Sequence, residues 1–251
     1  MKVSIITVTY NSAATLADTI RSVGMQDYPD IEYLIIDGGS KDNTLDVIRS
    51  FQGIVTNWIS EPDKGLYDAI NKGIKMSSGD IVGIIHSDDF YHRSDSISQI
   101  VNAFQEFGTQ CVYGDIRFVN PNNLEKTVRY YHSGRFSVKK LKRGIIPAHP
   151  TFFTYKKNFR TNGYYKTDYK IAADFELLVR FLHTHQLSYY YLPIDLLKMR
   201  TGGLSTRSWK STWIINQEDL RACMENGIKT NYFWLYSRYF KKVLEFLPSI
   251  F

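Results

Sequence analysis

This chain of 251 residues has few cysteines, no long apolar run and no internal repeat. Its two cysteines, Cys111 and Cys223, are far apart and lack Cys-x-x-Cys spacing, which argues against disulfides and zinc sites. No apolar run approaches the roughly 18 residues needed to cross a bilayer. The N-terminus leads from Lys2 directly into a strand pattern, unlike a signal peptide. We therefore expect reduced thiols and a cytoplasmic location.

The net charge of +6 conceals two halves of opposite charge. Residues 1–125 hold 9 Lys and Arg against 17 Asp and Glu, whereas residues 126–251 hold 22 against 8. A basic chain can indicate nucleic-acid binding, but no nucleic-acid motif is recognisable and we expect no such partner. The asymmetry favours an acidic half that binds metal and nucleotide. The basic half would face a phosphorylated acceptor or an anionic membrane.

Apolar runs alternate with helical patterns along the first third of the chain. The runs predict buried parallel strands at residues 2–8, 31–36, 54–59 and from 81 onwards. Apolar residues at helical spacing predict helices at residues 14–25, 43–51 and 66–76. This alternation predicts an α/β fold with a doubly wound, mostly parallel sheet.

Polar side chains follow each predicted strand. They are Thr9, Tyr10 and Asn11 after the first strand, Asp37 after the second, Asp63 and Lys64 after the third, and Asp88 and Asp89 after the fourth. Open α/β sheets bind ligands at the carboxyl ends of their strands, so four such ends predict a nucleotide site.

The adjacent carboxylates Asp88 and Asp89 are the most informative pair. Their mutual repulsion favours a hard divalent cation, Mg²⁺ or Mn²⁺, whose open positions can carry substrate phosphates. The plainer alternative is a helix N-cap beside a solvated acid. The neighbouring His86 could ligate Mn²⁺ through a neutral imidazole, although a buried, hydrogen-bonded strand residue is the favoured interpretation.

Six ordered blocks, at residues 3–11, 37–44, 63–73, 86–91, 171–177 and 202–205, carry a resemblance that covers about residues 1–207. The chain resembles a family 2 glycosyltransferase of the GT-A fold, especially those that build bacterial polysaccharides and O-antigens. The resemblance implies a mostly parallel mixed sheet flanked by helices, and an inverting transfer that depends on Mn²⁺ or Mg²⁺. The donor would be a nucleotide-diphosphate sugar, with UDP favoured, and the acceptor a glycan or lipid-linked glycan.

The resemblance also implies roles for single residues. Asp89 is the preferred metal ligand, with Asp88 supporting the metal or the ribose, and Asp174 is the candidate general base. A helix N-cap is the alternative for Asp174. Glu176 is its rival on a different helix face, and His149 is a weaker candidate for the acceptor side.

The nucleotide contacts implied by the resemblance have plainer alternatives. Tyr10 would stack on the base, with Thr9 and Asn11 nearby, or else pack at the strand end. Asp37 would bind the base or ribose, or else serve as a turn residue. The Asp37-Gly38 pair departs from the two consecutive acids of many relatives. Lys64 would pair with the diphosphate or remain solvated.

The segment after a short predicted strand at residues 187–192 is glycine-rich. Arg200, Gly202, Gly203 and Ser205 suit a flap that closes over a diphosphate, while an ordinary surface loop is the alternative.

We expect a catalytic domain at residues 1–207, with a nucleotide and metal half at 1–120 and an acceptor half at 121–207. An aromatic and basic helical extension would occupy residues 208–251. Its predicted helix has an aromatic face, and Arg238 lies on the opposite polar face. This pattern suits a helix on the inner face of the plasma membrane, or one that packs on the catalytic domain or a dimer partner.

Two other functions are compatible with parts of the sequence. A sugar-1-phosphate nucleotidyltransferase would also use carboxylate-bound Mg²⁺, but would carry a basic glycine-rich loop where this chain has Thr9-Tyr10-Asn11-Ser12. A non-catalytic subunit of a polysaccharide assembly complex would use the aromatic tail. Loss of the catalytic carboxylates would favour that function, and they are present.

Overall fold

The computed structural model describes residues 1–202 and 209–245, with side chains described as far as Tyr239. The first part of the chain comprises β1 (Val3–Thr9), α1 (Leu16–Gly24), β2 (Ile31–Asp37), α2 (Thr44–Ser50), β3 (Asn57–Ser60), α3 (Leu66–Met76), β4 (Ile81–His86), β5 (Asp89–Tyr91) and α4 (Ser96–Phe107). The remainder comprises β6 (Cys111–Asn120), β7 (Asn123–Tyr131), β8 (Phe153–Tyr155), α5 (Lys156–Asn162), α6 (Ala173–Val179), β9 (Tyr189–Arg200), α7 (Trp209–Glu225) and α8 (Tyr232–Glu245).

These strands form one mixed sheet in the order β3-β2-β1-β4-β8-β6-β9-β5, with β7 paired to β6. The long ladders are parallel, namely β1 with β2 and β4, β2 with β3, and β6 with β9. The antiparallel ladders of β8 and β5 are shorter. The sheet therefore includes strands from both sides of residue 120, and it matches the mostly parallel mixed sheet predicted from the sequence.

Helices cover both faces of β1, which explains why apolar residues occur on both of its faces. In β1, Ile5 packs with Ile20 of α1 on one face of the sheet. Its neighbour Ile6 packs with Ile70 of α3 on the other face. Successive side chains of a strand point to opposite faces, so both positions must be apolar here. β1 is consequently buried along its whole length.

The helix predicted at residues 66–76 has exactly those bounds as α3, but the strand predicted at residues 187–192 is longer than expected. β9 continues to Arg200, so the first part of the predicted flap is a strand paired with β6 and β5. The register of β9 against β6 shifts around Pro193, between the pairs Tyr113–Tyr191 and Asp115–Asp195. Proline is tolerated at such an irregularity because it has no N–H to contribute to a ladder.

The C-terminal helices pack against the domain, in agreement with one of the two predicted arrangements. Leu235 of α8 is fully buried. Arg238, predicted on a solvated face, instead pairs with Asp219 of α7 at 2.6 Å and donates to the carbonyl of Gly144 at 2.8 Å. The polar face of the predicted helix is therefore a packing face at this position. Among residues 1–202 and 209–245, no helix is both long enough and apolar enough to cross a membrane.

Candidate active site

The carboxyl ends of the parallel strands align at one edge of the sheet, as the sequence predicts. Thr9 pairs with Asp37 across β1 and β2, and Asp37 pairs with Ser60 across β2 and β3. On the other side of β1, Val8 pairs with His86 at the end of β4. This register brings the polar strand ends side by side.

The acidic pair lies between β4 and β5. Asp88 is half-buried in the turn, whereas Asp89 begins β5 and is only 1% exposed. Neither carboxylate oxygen of Asp89 has a hydrogen-bond partner within the described residues. Burial, together with the charge of Asp88, raises the pKa of the Asp89 carboxyl well above its usual range, although Arg200 opposes this shift. A buried carboxylate without partners is costly, and a bound cation would relieve the cost.

A divalent cation therefore fits this pair. Among the described residues, no group of three or more His, Cys, Asp or Glu side chains is arranged to hold a metal ion. Asp88 and Asp89 would supply only part of a coordination sphere and leave positions for phosphate oxygens and water. Mg²⁺ commonly binds in this manner, through one or two carboxylates plus substrate phosphates.

Arg200 is anchored beside the acidic pair at the end of β9. Its Nη1 donates to the main-chain carbonyl of Asp88 at 2.6 Å, and its Nη2 pairs with the carboxylate of Asp18. Gly202 follows with a positive φ of 102°, a conformation that favours glycine. Gly203 and Ser205, the other residues of the predicted flap, lie outside the described residues.

His86 is half-buried at the end of β4. Burial lowers the pKa of its imidazole, while Asp88 acts in the opposite direction. The ring makes no hydrogen bond to the described part of the chain, so the hydrogen-bonded role favoured from the sequence is wrong in that respect.

The predicted nucleotide residues divide into loop-fixing residues and residues that are open to a ligand. The Asp37 carboxylate is fully buried and accepts hydrogen bonds from the amides of Gly39 and Ser40 and from the hydroxyls of Ser40 and Ser60. This engagement fixes the turn after β2, which is the turn role given as the alternative for Asp37, and the base or ribose contact stays a prediction.

Asn11 also fixes a loop. It has a positive φ of 50°, its N–H donates to the Ser40 hydroxyl at 2.8 Å, and its Oδ1 accepts from the Lys41 amide at 2.8 Å. Lys64 is exposed, and its amide donates to Asp68 at 3.0 Å. Thr9 is buried, with a hydroxyl that has no partner within the described residues.

Tyr10 is 60% exposed and borders a corner that includes one residue missing from the predicted site. A Cβ placed on Gly38 would lie 3.5 Å from Cδ2 of Tyr10 and 2.6 Å from Oδ2 of Asp63. The other carboxylate oxygen of Asp63 accepts the Gly65 amide at 2.8 Å. Because residue 38 is glycine, there is space beside its Cα, between the ring of Tyr10 and the carboxylate of Asp63. The position of Asp63 at the end of a strand was the signal in the sequence.

Asp174 lies in the first turn of α6 and is half-buried. Its Oδ1 accepts the amide of Phe175 at 2.7 Å. Burial raises the pKa of the Asp174 carboxyl to about 6, and Glu218 adds to this shift. The residue lines a pocket of about 140 Å³, whose other walls are Gly144, Ile146, Ile171, Ala172, Phe175, Ile215, Asp219 and Arg238.

Glu176, the rival to Asp174, is fully buried. It pairs with Arg180 at 2.9 Å and with Lys166 at 3.1 Å. These contacts hold its carboxylate in the interior, so Glu176 is a structural residue rather than a group on the acceptor side.

His149 is also buried, and its Nε2 lies 2.7 Å from the Tyr165 hydroxyl. Burial lowers the pKa of its imidazole to about 3, with His86 contributing. Burial raises the pKa of the Tyr165 hydroxyl, and the charge of Asp174 raises it further. His149 thus lies in the interior against Tyr165 and does not line the pocket beside Asp174.

Comparisons with known proteins agree with this geometry. The sequence profile of the family described as "Glycosyl transferase family 2" matches residues 4–167. An uncharacterized glycosyltransferase of Mycobacterium tuberculosis is 33% identical over 184 residues, covering 71% of this chain and 68% of its own length. A PGL/p-HBAD biosynthesis glycosyltransferase of Mycobacterium bovis is 28% identical over 209 residues, covering 80% of this chain and 78% of its own length.

Solved structures show the same fold. S. aureus TarS 1–349 in complex with UDP-GlcNAc matches with a TM-score of 0.73 at 16% identity, over 98% of this chain and 73% of that one. The mannosyltransferase PcManGT from Pyrobaculum calidifontis, in complex with GDP-Man and Mn²⁺, matches with a TM-score of 0.64 at 15% identity, over 98% of this chain and 81% of that one. Of a longer TarS structure, this chain covers 41%. The chain therefore belongs to glycosyl transferase family 2 and has the GT-A fold.

Proposed function

We propose that this glycosyltransferase moves a hexose-type sugar from a UDP-sugar to a glycan or lipid-linked glycan, with inversion at the anomeric carbon. The observation that carries the proposal is the buried carboxylate of Asp89 next to Asp88, which has no hydrogen-bond partner among the residues that the structure describes. Such a pair favours a cation, and a cation with open positions attracts the diphosphate of a nucleotide sugar. The aligned strand ends are where α/β sheets hold such ligands.

The corner formed by Tyr10, Gly38 and Asp63 would receive the nucleobase. The exposed ring of Tyr10 offers a stacking surface. The Asp63 oxygen near Gly38 can accept a hydrogen bond from the ring N–H of uracil. TarS was solved with UDP-GlcNAc and PcManGT with GDP-Man, so the shared fold is compatible with either nucleotide. UDP is our proposal, and this corner is the part of the chain that would select it.

Asp89 and Asp88 would hold Mn²⁺ or Mg²⁺, which supplies Lewis-acid stabilisation of the departing diphosphate. The chain itself adds the guanidinium of Arg200, which donates to the carbonyl of Asp88 and so fixes the turn that carries the acidic pair.

Asp174 would accept the proton of the acceptor hydroxyl as that hydroxyl attacks the anomeric carbon. A general base works best when its pKa lies near the operating pH. The carboxyl pKa of about 6 leaves Asp174 mostly ionised at pH 7 while retaining basicity. One base is sufficient for a single displacement, which inverts the anomeric centre.

The acceptor would enter beside Asp174 through the pocket bordered by Asp219 and Arg238. A lipid-linked acceptor would favour a location on the inner face of the plasma membrane. Phe233 of α8 is 78% exposed. Lys142 lies 4.7 Å from the ring of Trp234 next to it. Exposed aromatic residues beside basic ones suit an interfacial surface.

A two-part experiment tests the proposal. Thermal-shift screening with UDP-, GDP- and dTDP-sugars, each in Mn²⁺ and in EDTA, should show stabilisation by a UDP-sugar only when the metal is present. Proton NMR of the first product should then show the anomeric configuration opposite to that of the donor. Equal donor binding in EDTA would reject the metal assignment, and retention of configuration would reject the single displacement.

A further inference from the structure

One carboxylate of helix α7, that of Glu218, binds the main chain of the segment that leads to Asp174. Glu218 accepts the main-chain amide of Lys170 at 2.7 Å through Oε1. Through Oε2 it accepts the amides of Ile171 at 2.9 Å and Ala172 at 2.8 Å. Three consecutive amides thus converge on one side chain that is distant in sequence. Charge-assisted hydrogen bonds of this kind are roughly twice as strong as neutral ones.

The same segment is held from its other side by α3. The hydroxyl of Tyr67 donates to the carbonyl of Ile171. The peptide groups that lead into α6 are therefore fixed by Tyr67 at an acceptor and by Glu218 at three donors. Asp174 follows only two residues after Ala172, so the position of its carboxylate depends on this arrangement.

Other contacts attach α7 to the domain independently of Glu218. Glu225, one end of the helix, pairs with Lys166 at 2.8 Å and accepts the Tyr169 hydroxyl at 2.9 Å. Asp219 pairs with Arg238 of α8. Loss of Glu218 should therefore loosen the segment before Asp174 without detaching the helix.

We propose that Glu218 is a positioning residue, which holds residues 170–172 so that the Asp174 carboxylate faces the acceptor pocket. The proposal rests on the proposed role of Asp174 as general base. It assigns to the C-terminal helices a part in building the active site, beyond residues 4–167 that match the family profile.

The charge of Glu218 provides a second readout. In the described part of the chain, Tyr67 of α3, Tyr165 of the preceding loop, and Glu218 and Asp219 of α7 interact electrostatically with Asp174, and Arg238 of α8 lines the same pocket. The negative charge of Glu218 favours the neutral form of Asp174. Removing that charge should lower the pKa of Asp174. Loss of a contact that only docks the helix, such as that of Glu225, should leave the pKa of Asp174 unchanged.

The experiment compares Glu218→Gln with Glu225→Gln, a matched change on the same helix that does not touch residues 170–172. Hydrogen exchange of the amides of 170–172 should accelerate only in Glu218→Gln. The Asp174 carboxyl is followed by ¹³C NMR and assigned by its absence in Asp174→Asn. Its pKa should fall only in Glu218→Gln. Glu218→Asp keeps the charge but shortens the side chain. Relative to Glu218→Gln, it should therefore bring the pKa of Asp174 back towards the wild-type value more fully than it slows the exchange of amides 170–172.

Turnover is measured as release of UDP from UDP-glucose, UDP-galactose and UDP-N-acetylglucosamine in Mn²⁺. We expect Glu218→Gln to lower kcat by about 10- to 100-fold with KM for the donor unchanged, because a misplaced catalytic group costs about that much. Amide exchange and an Asp174 pKa equal to those of Glu225→Gln would overturn the proposal. Wild-type turnover by Asp174→Asn would instead overturn the role of Asp174, so the two failures are distinguishable.

Discussion

The sharpest prediction concerns Asp89, whose buried carboxylate should destabilise the metal-free protein at neutral pH. Its pKa is raised in the folded state, so the carboxyl contributes most to stability below its unfolded pKa of about 3.9, and this contribution is lost as the pH rises towards the folded pKa. From about pH 3.9 to pH 7 the interval is about three pH units at about 1.4 kcal/mol each, which sets a ceiling of about 4 kcal/mol.

Asp89→Asn removes the titration but leaves a polar group that has no partner in the described part of the chain. We therefore expect the variant to be more stable than the metal-free wild type by about 1–3 kcal/mol at pH 7. A gain of 2 kcal/mol corresponds to a rise in Tm of roughly 4–8 °C for a chain of this size. The gain should shrink towards pH 4, because the wild-type carboxyl is then protonated in the folded state and about half protonated in the unfolded state.

Calorimetry in EDTA from pH 4.5 to pH 8 measures this difference, and a second series adds Mn²⁺ and UDP. Saturation at about 100 times the dissociation constant should stabilise the wild type by about 2.7 kcal/mol. It should leave Asp89→Asn nearly unchanged. The matched control is Asp115→Asn. Asp115 is also 1% exposed, but it accepts the Ser133 amide at 2.7 Å and the Tyr130 hydroxyl at 2.6 Å.

Asp115→Asn should therefore destabilise the protein by about 1–3 kcal/mol and leave the response to Mn²⁺ intact. If Asp89→Asn were less stable than the wild type in EDTA at pH 8, the view of Asp89 as an uncompensated carboxylate would be wrong. If Mn²⁺ with UDP stabilised the variant as much as the wild type, the metal assignment would fail.

Three further predictions address the base, the donor corner and the membrane surface. Asp174→Asn should lower transfer by about 10²–10⁴-fold, and a donor titration should show donor affinity unchanged. A pH–rate profile of the wild type should show kcat falling below about pH 6 as the base is protonated. Gly38→Ala would put a Cβ 2.6 Å from the Asp63 carboxylate. We expect calorimetric titration to show UDP affinity reduced by about tenfold, because one charge-assisted hydrogen bond is lost, with Tm little changed. Unchanged affinity would show that this corner does not bind the nucleotide. Phe233→Ser combined with Lys142→Glu should weaken sedimentation with anionic vesicles by about tenfold without changing Tm, and equal vesicle binding by the wild type and the variant would contradict the membrane surface.

The sequence predicted the elements whose burial leaves a local pattern. β1 and β4 are mostly apolar because they are buried on both faces, and the apolar residues of α3 recur at helical spacing over its whole length. Their polar carboxyl ends were therefore also predictable, including Asp88 and Asp89.

The strands that depend on distant partners were not predictable in the same way. β5 and β8 have three residues each, too few for a pattern, and they exist through pairing with β9, β4 and β6. β7 is largely exposed and lacks the alternation of a half-buried strand. β9 contains Pro193, which indicates the end of a strand unless a partner accommodates it at an irregularity.

The same distinction applies to the active site. Its donor side consists of strand ends, so the residue types and their order in the chain indicate it directly. Its proposed acceptor side brings Asp174 together with Glu218, Asp219 and Arg238, which are 44 to 64 residues further along the chain. No local pattern relates a glutamate in the middle of α7 to three amides before α6.

This division has a consequence for specificity. The donor side lies within residues 4–167, where the family profile matches, whereas Asp174 and the helices that border its pocket follow that region. Substitutions in α7 and α8 can therefore reshape the acceptor pocket without disturbing the sheet or the acidic pair. We expect exchange of residues 209–245 for the corresponding helices of a relative to change the acceptor used and to preserve donor binding. Loss of donor binding in such a chimera, with the fold intact by circular dichroism, would show that the two sides are not separable.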